Sequence, residues 1–581
     1  MKNFKRIMAL VIAMAMVFAM MTASFAATPD NPVTVSGLTE GDVAHFYKVI
    51  KWQNADATHA GGWVFAEGFT SLTSEDMDAI TGDPKTGTPS ALTADLAGKI
   101  ARLAASAAEA GNDTVGSDGI AELPITGDQG KGSGLYLVLI TPADADTVYN
   151  PVFVGADYTS DNASNTWEVV KSSSTYSDEA ASKKSTLTVT KTASTTEDSW
   201  DDGKSDTTAV CDTVTFTVNT TIPGYGTVYQ SSHFVMTDSL TDLALIESTV
   251  TVNPATYSAA LADGTTTNLP TYSVVTSPSG YTITFAEGYL KTLSTPQDVT
   301  VTYDAKVTSD ALKNVNTEKN EVQIEYSHDP SNESDYNVKK DTTQHYTFTI
   351  DANVLGNGSQ QIGRSTSELV KVALSADGTP INKETKTTSQ ITASHSVESP
   401  LKDAVFGLYT DSACTTPYVP KNADGTAGTA LTNITSDADG RLTISGLDAG
   451  TYYIKEISAP EGFIKDTEAH KIVIDAHMKE VTVTETINGK TVSYKTDVLD
   501  YYTVSVDDQP TATHTFSNPG TSTDVTWVEA SSTELPSSLP NTRGVELPST
   551  GGIGTTIFYV VGAILVIGAG VILITRRRMD A

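Results

Sequence analysis

The side chains able to do chemistry are few in kind and widely scattered. Nine histidines occur in 581 residues. None stands in an HExxH pair, and neither a GxSxG nucleophile turn nor a glycine-rich phosphate loop is present. These absences argue against a hydrolase or a nucleotide-dependent enzyme, so neither a turnover reaction nor a cofactor is expected. The acidic pairs Asp144/Asp146 and Asp437/Asp439 offer oxygen ligands to calcium, but aspartates of this spacing also close turns, and no metal site is assigned. Only two cysteines occur, Cys211 and Cys414. They are far apart in sequence and expected in different domains, so a disulfide framework is not available. Acidic residues number 70 against 37 basic ones, a net charge of -33. Such a balance disfavours nucleic acid and anionic lipid as partners and suits a soluble, self-repelling surface protein.

Both ends of the chain carry address signals. Lys2, Lys5 and Arg6 precede an almost unbroken apolar run, Ile7 to Thr22, and the small residues Ser24 and Ala26 follow. This is a secretory leader, with cleavage expected between Ala26 and Ala27. At the other end, Leu547-Pro548-Ser549-Thr550-Gly551 stands before an apolar stretch from about Ile557 to Ile574, followed at once by Arg576, Arg577 and Arg578. Roughly 18 apolar residues suffice to span a bilayer, and the arginines would hold the cytoplasmic side. Pentapeptide, helix and basic stub in this order resemble the sorting signal of Gram-positive sortase substrates. That resemblance implies cleavage between Thr550 and Gly551 and transfer of Thr550 to an amine.

The positioning elements between the ends are mainly β. Alternating runs rich in Thr, Val, Ile and Tyr, such as TLTVTKTA (186–193), DTVTFTVNTTIP (212–223), RLTISGL (441–447), TYYIKEI (451–457) and KIVIDA (471–476), are separated by turn residues. They predict tandem β-sandwiches. In TADLAGKIARLAASAAEA, Leu96, Ile100 and Leu103 share a helical face behind Thr93 as N-cap. Composition shifts divide the chain into a signal peptide (1–26), an N-terminal domain (27–178), a middle domain (179–343), a third domain (344–520) and a Ser/Thr/Pro-rich stalk (521–546). The sorting signal with its transmembrane helix (547–581) completes it.

The body of the chain resembles the sortase-assembled fimbrial proteins with intramolecular isopeptide bonds. The resemblance rests on KTA, VCDTVTFTVNTTIP, FVMTDSL and KNEVQIEYS in the middle block. In the third domain it rests on PLKDAVFGLYTD, DADGRLTISGLDAGTYYIKEISAPEGF and HTFSNPG. It implies immunoglobulin-like and collagen-adhesin B-type, transthyretin-like sandwiches. In each, a lysine on the first strand attacks an asparagine carboxamide on the last and releases ammonia. The reaction needs a neutral amine, which burial favours, and a protonated carboxyl that can donate to the amide oxygen. Carried onto this sequence, the residues are Lys191, Asn320 and Asp238 in the middle domain, with Glu247 and Glu287 as other candidates for the acid. In the third domain they are Lys371, Asn518 and Glu456.

The N-terminal strings GDVAHFYKVIKW, GSGLYLVLITP and YNPVFVGADY resemble the family's first pilin domain. The resemblance therefore implies a backbone pilin, joined by a class C sortase from Thr550 to a lysine of the next copy. A housekeeping sortase would attach the fibre to peptidoglycan, with minor pilins and a host surface ligand as further partners. The usual VYPKN core is absent from the end of the first domain, and Lys421 in PYVPKN is read as a loop residue. Lys184 or Lys183 is the expected nucleophile, with Lys171 behind them. A solitary wall-anchored adhesin binding a matrix protein or glycan is the alternative.

Overall fold

A computed structural model of the chain describes residues 32–53, 58, 61–82, 92–125, 132–156, 178–195, 203–260, 265–312, 316–351, 354–355, 362–363, 368–377, 400–508, 514–517, 528–529, 537–544 and 553–579. The leader with Ala26 and Ala27, Lys171, Asn518 and the pentapeptide Leu547–Gly551 lie outside the described residues. Among those described, strands dominate, as the alternating patterns predict.

In the N-terminal region, Val43–Gln53 and Gly134–Thr141 pair antiparallel at the centre of a sheet flanked by Gly62–Phe65 and Val152–Ala156. The helix Ala94–Ala104 forms where its pattern places it. Thr93 Oγ1 accepts from Leu96 N at 3.2 Å, and Leu96, Ile100 and Ala104 are buried. A second helix, Ser74–Thr81, is held by a reciprocal Thr73/Asp76 capping box; its eight residues are too few for a periodic signal. Gly98 lets the longer helix meet the middle domain, since a Cβ there would lie 2.1 Å from Val228 O.

The middle domain is a sandwich of two sheets. One contains Val189–Thr195, Thr213–Ile222 and Gln297–Val307 in that order. The other contains Tyr336–Ile350, Asn316–Ser327, Phe234–Thr241 and Gly280–Phe285. Alternation sends Val214, Phe216, Val218 and Ile222 inward from the first, and Met236, Ile283 and Ile324 inward from the second.

The third domain packs Val405–Tyr409, Gly450–Ser458, Ala469–Ile487 and Lys490–Val506 in one antiparallel sheet. The last two form a long hairpin turned by Asn488 and Gly489, both at positive φ. Its far half leaves the third domain and lies on the middle one. There Val492 and Tyr494 pack with Val338, and Lys340 pairs with Glu485 at 2.9 Å. Asn488 Nδ2 donates to Glu325 Oε1 at 2.9 Å.

One segment departs from the expected plan. Ser537–Thr542, inside the stretch expected to be stalk, is a strand running parallel to Leu369–Leu374, with Lys371 opposite Leu539 and Ala373 opposite Asn541. Leu539 and Asn541 are buried while Ser538 and Pro540 face out. The bias toward Ser and Pro conceals an alternating strand. Proline, which cannot donate to a ladder, is tolerated in such a two-stranded edge pairing. At the far end of the chain, the helix Ile553–Met579 includes an apolar span from Ile557 with mean hydropathy 2.8, and it ends on the three arginines.

Candidate functional site

Two buried clusters contain a lysine, a carboxyl group and an asparagine. In the middle domain the first sheet supplies Lys191, opposite Val218 on its neighbouring strand. The second supplies Asp238, opposite Val322, and Asn320, opposite Leu240. All three point into the sandwich and are 0, 2 and 0 % exposed respectively. Lys191 Nζ donates directly to Asp238 Oδ2. The Tyr303 hydroxyl, from the strand Gln297–Val307, joins all three: Lys191 Nζ lies 2.6 Å from it, Asp238 Oδ2 2.9 Å, and Asn320 Nδ2 2.9 Å. Aromatic rings line the amine, with Lys191 Nζ 5.6 Å from the Phe216 centroid and 5.3 Å from that of Tyr303.

Burial sets the protonation. It pushes the Lys191 ammonium down, against the attraction of Asp238. It pushes the Asp238 carboxyl up, against the opposing pull of Lys191. Both shifts favour the uncharged pair, a nucleophilic amine beside a carboxylic acid. Asp238 Oδ1 and Asn320 Oδ1 are buried without a hydrogen-bond partner among the described residues; a proton on the acid supplies a donor where none otherwise exists. His345, held neutral by burial with its pKa down to about 3, meets Phe216 edge-on at 5.5 Å and adds no charge. The other acids considered lie elsewhere. Glu247 is exposed and bonded to Thr276, and Glu287 is exposed and paired with Lys291 at 2.6 Å.

In the third domain, Lys371 and Glu456 meet as the sequence suggests, with Nζ 3.5 Å from Oε1. They are 0 and 1 % exposed. Burial lowers the Lys371 pKa, partly offset by Glu456, and Nζ lies over the Phe406 ring at 5.3 Å. The asparagine in this cluster is Asn541, 1 % exposed, whose Nδ2 donates to Glu456 Oε2 at 2.8 Å and to Ile464 O at 2.6 Å. Asn518, the residue expected here, follows the strand His514–Ser517, which pairs with Tyr501–Val504 in the main sheet. The family strings end at HTFSNPG, and the Ser/Thr/Pro composition beyond it resembles a stalk. The one usable signal was the alternation SLPNT (538–542), which places Leu539 and Asn541 on a common face.

Lys183 and Lys184 are exposed at the seam between the N-terminal and middle domains. Lys184–Thr186 pairs with Thr147–Tyr149, and Lys184 Nζ donates to Thr39 Oγ1 at 3.0 Å. Beneath them Asp42, 1 % exposed, accepts from Tyr149 Oη at 2.6 Å and from the backbone of Thr39 and Ala143. Lys421 is bonded to Asp212 at 2.7 Å across a domain boundary. The aspartates first weighed as calcium ligands cap turns: Asp144 accepts from Asp146 N, and Asp437 from Asp439 N and Arg441 N.

Residues 374–488 match the family of prealbumin-like fold domains, and residues 539–580 match the LPXTG cell wall anchor motif. The chain is 24 % identical over 476 residues to the trypsin-resistant surface T6 protein of Streptococcus pyogenes serotype M6, covering 77 % of this chain and 79 % of that protein. Among solved structures it is similar to the three-domain T6 backbone pilin of the same organism, with TM-score 0.50 and 17 % identity, covering 90 % of this chain and all of the other. The chain thus has the fold of the T6 backbone pilin, carries a prealbumin-like domain, and ends in an LPXTG cell wall anchor motif.

Proposed function

We propose that this protein is the backbone subunit of a covalently polymerised surface pilus, hardened by two self-formed isopeptide bonds. The observation that carries this reading is the pair of buried lysine–acid–asparagine clusters, one in each of the two larger sandwiches. The bonds are Lys191–Asn320, assisted by Asp238, and Lys371–Asn541, assisted by Glu456. In each, the neutral amine attacks the carboxamide carbon, the new C–N bond replaces the old, and ammonia leaves with the displaced proton. The reaction follows folding, because only the closed sandwich removes water from the lysine.

Mechanics gives the arrangement its purpose. A class C sortase joins Thr550 of one copy to Lys184, with Lys183 as the neighbouring choice, on the next. A pull on the fibre then enters at Thr550 and runs to Asn541, crosses to Lys371, returns along the chain to Asn320, crosses to Lys191 and leaves through Lys184. Only residues 541–550, 320–371 and 184–191 lie on this covalent path. The bodies of both sandwiches are bypassed, so the β ladders need not bear the load. The exposure of Lys184, its short separation from Lys191 and its support by the Thr39–Asp42 network favour it. A housekeeping sortase would then fix the last subunit to peptidoglycan, with minor pilins and a host ligand at other points of the fibre.

Boiling wall extracts in detergent tests the polymer. A ladder of multimers is expected from the wild-type strain, and its loss from a Lys183→Ala/Lys184→Ala strain. A single band in the wild type would make the protein a solitary wall-anchored adhesin instead.

A further inference from the structure

We propose that Tyr303 is a catalytic residue of the middle-domain cross-link, its hydroxyl carrying the proton from the attacking amine to the leaving one. The inference rests on the Lys191–Asn320 bond proposed above and adds a fourth member to that cluster. Tyr303 Oη touches both reacting nitrogens, Lys191 Nζ at 2.6 Å and Asn320 Nδ2 at 2.9 Å, and the acid Asp238 Oδ2 at 2.9 Å. No other hydroxyl among the described residues hydrogen-bonds to Lys191 Nζ or Asn320 Nδ2.

Aminolysis of an amide has a specific difficulty that this placement resolves. When Nζ attacks Cγ of Asn320, the nucleophile gains positive character, while the amide nitrogen is too poor a leaving group to depart unprotonated. One proton must travel between two nitrogens bonded to the same carbon. Asp238 makes its hydrogen bonds to Lys191 Nζ and Tyr303 Oη, and none to Asn320 Nδ2, the nitrogen that must receive the proton. The phenol can carry it: Tyr303 Oη accepts from both nitrogens and donates to Asp238 Oδ2. Once attack makes Nδ2 a pyramidal amine with a free lone pair, Tyr303 turns its hydrogen from Asp238 to Nδ2 as it takes one from Nζ. The Nζ–Cγ bond forms, the Cγ–Nδ2 bond breaks, ammonia leaves, and Tyr303 ends as the neutral phenol it began. No net charge is created in a site buried from solvent. Burial holds the Tyr303 hydroxyl well above the usual phenol range, so it does not ionise on its own and passes a proton only as it receives one.

The ring is fixed for the task. It stacks on Phe216 at 5.3 Å with planes 21° apart and meets Tyr281 edge-on at 5.1 Å. Phe216 and Tyr303 are cross-strand partners on the sheet that also bears Lys191. The third domain provides an internal comparison. Among the described residues no phenol bridges Lys371 and Asn541; Glu456 and the Ile464 carbonyl hold the asparagine instead.

The test is a time course on the full chain made by cell-free translation. Samples are quenched in acid, and the two cross-linked peptides are quantified by mass. In Tyr303→Phe, which keeps the stacked ring, the Lys191–Asn320 peptide should form about a hundredfold more slowly, the usual scale of general acid–base assistance. The Lys371–Asn541 peptide should form at the wild-type rate. Equal rates for the middle bond in both chains would reduce Tyr303 to packing and overturn the relay. A wild-type chain with no Lys191–Asn320 peptide at all would instead overturn the bond itself. A further measurement needs no variant: the wild-type middle bond should form more slowly in deuterated solvent, and unchanged rates would exclude a proton in flight.

Discussion

Replacing Asn541 with alanine removes the acceptor of the third-domain bond while leaving Leu539, the neighbouring buried anchor of the same strand, in place. The bond from Lys371 would close a loop of about 170 residues, and the chain-entropy model assigns such a closure roughly 5 kcal/mol. The loss falls almost wholly on the unfolded chain, which regains the freedom the cross-link denied it. At about 1.4 kcal/mol per tenfold, the folded-to-unfolded ratio of that domain falls by three to four powers of ten. For a unit of this size the midpoint should drop by about 10 to 20 °C. Intact mass and calorimetry on the same sample give the two readouts. Asn541→Ala should regain the mass of one ammonia and lower the third-domain transition, whereas Asn518→Ala should do neither. If Asn518→Ala regains the mass and Asn541→Ala does not, the assignment of the acceptor is wrong. A regained mass with an unmoved midpoint would refute the mechanical and entropic argument while leaving the chemistry intact.

Three further outcomes are expected. Asp238→Ala and Glu456→Ala should each restore the mass of one ammonia and the double variant both, measured on intact protein; retention of both losses in the double variant would remove the acids from the reaction. Asp448, which accepts from Thr207 Oγ1 across the boundary between the middle and third domains, has its pKa raised by burial to about 6, against about 3.9 in an unfolded chain. A raised folded pKa contributes stability that is fully present below about pH 4 and lost as pH rises through about 6. Asp448→Asn should therefore be the more stable chain at pH 7.5, by up to about 2–3 kcal/mol, with the gain vanishing near pH 4 in denaturant titrations; a pH-independent difference would contradict this. Tyr494→Ala removes the side chain that, with Val492, seats the long hairpin on Val338. A loss of about 2–3 kcal/mol is expected, with the middle and third domains unfolding in separate calorimetric steps, and an unchanged thermogram would show that the hairpin does not couple them.

Local patterns made much of the molecule legible. The helix Ala94–Ala104 follows from its apolar spacing and Thr93, and the inward alternation of Thr213–Ile222 follows from VTFTV. The terminal helix with its arginines follows from composition alone. These features depend on neighbours within one turn or one strand, so order along the chain encodes them. Lys191, Asp238 and Asn320 could also be named, through the resemblance of their strings to isopeptide-forming fimbrial proteins, and the structure buries all three.

What the linear chain withheld depends on contacts across long separations. Tyr303 is one more inward aromatic in VTYDAK until the two sheets close and bring its hydroxyl between an amine more than 100 residues before it and an amide 17 residues after it. Asn541 lies in a segment whose Ser, Thr and Pro bias signals extension; only the parallel pairing of Ser537–Thr542 with Leu369–Leu374 turns it into the closing strand of a domain. Sequence thus determined which segments could be strands and which ends were addresses, since periodicity and composition are local. The tertiary structure alone decided which asparagine Lys371 meets and which hydroxyl stands between Lys191 and Asn320, because that choice is made by the removal of water from a shared interior.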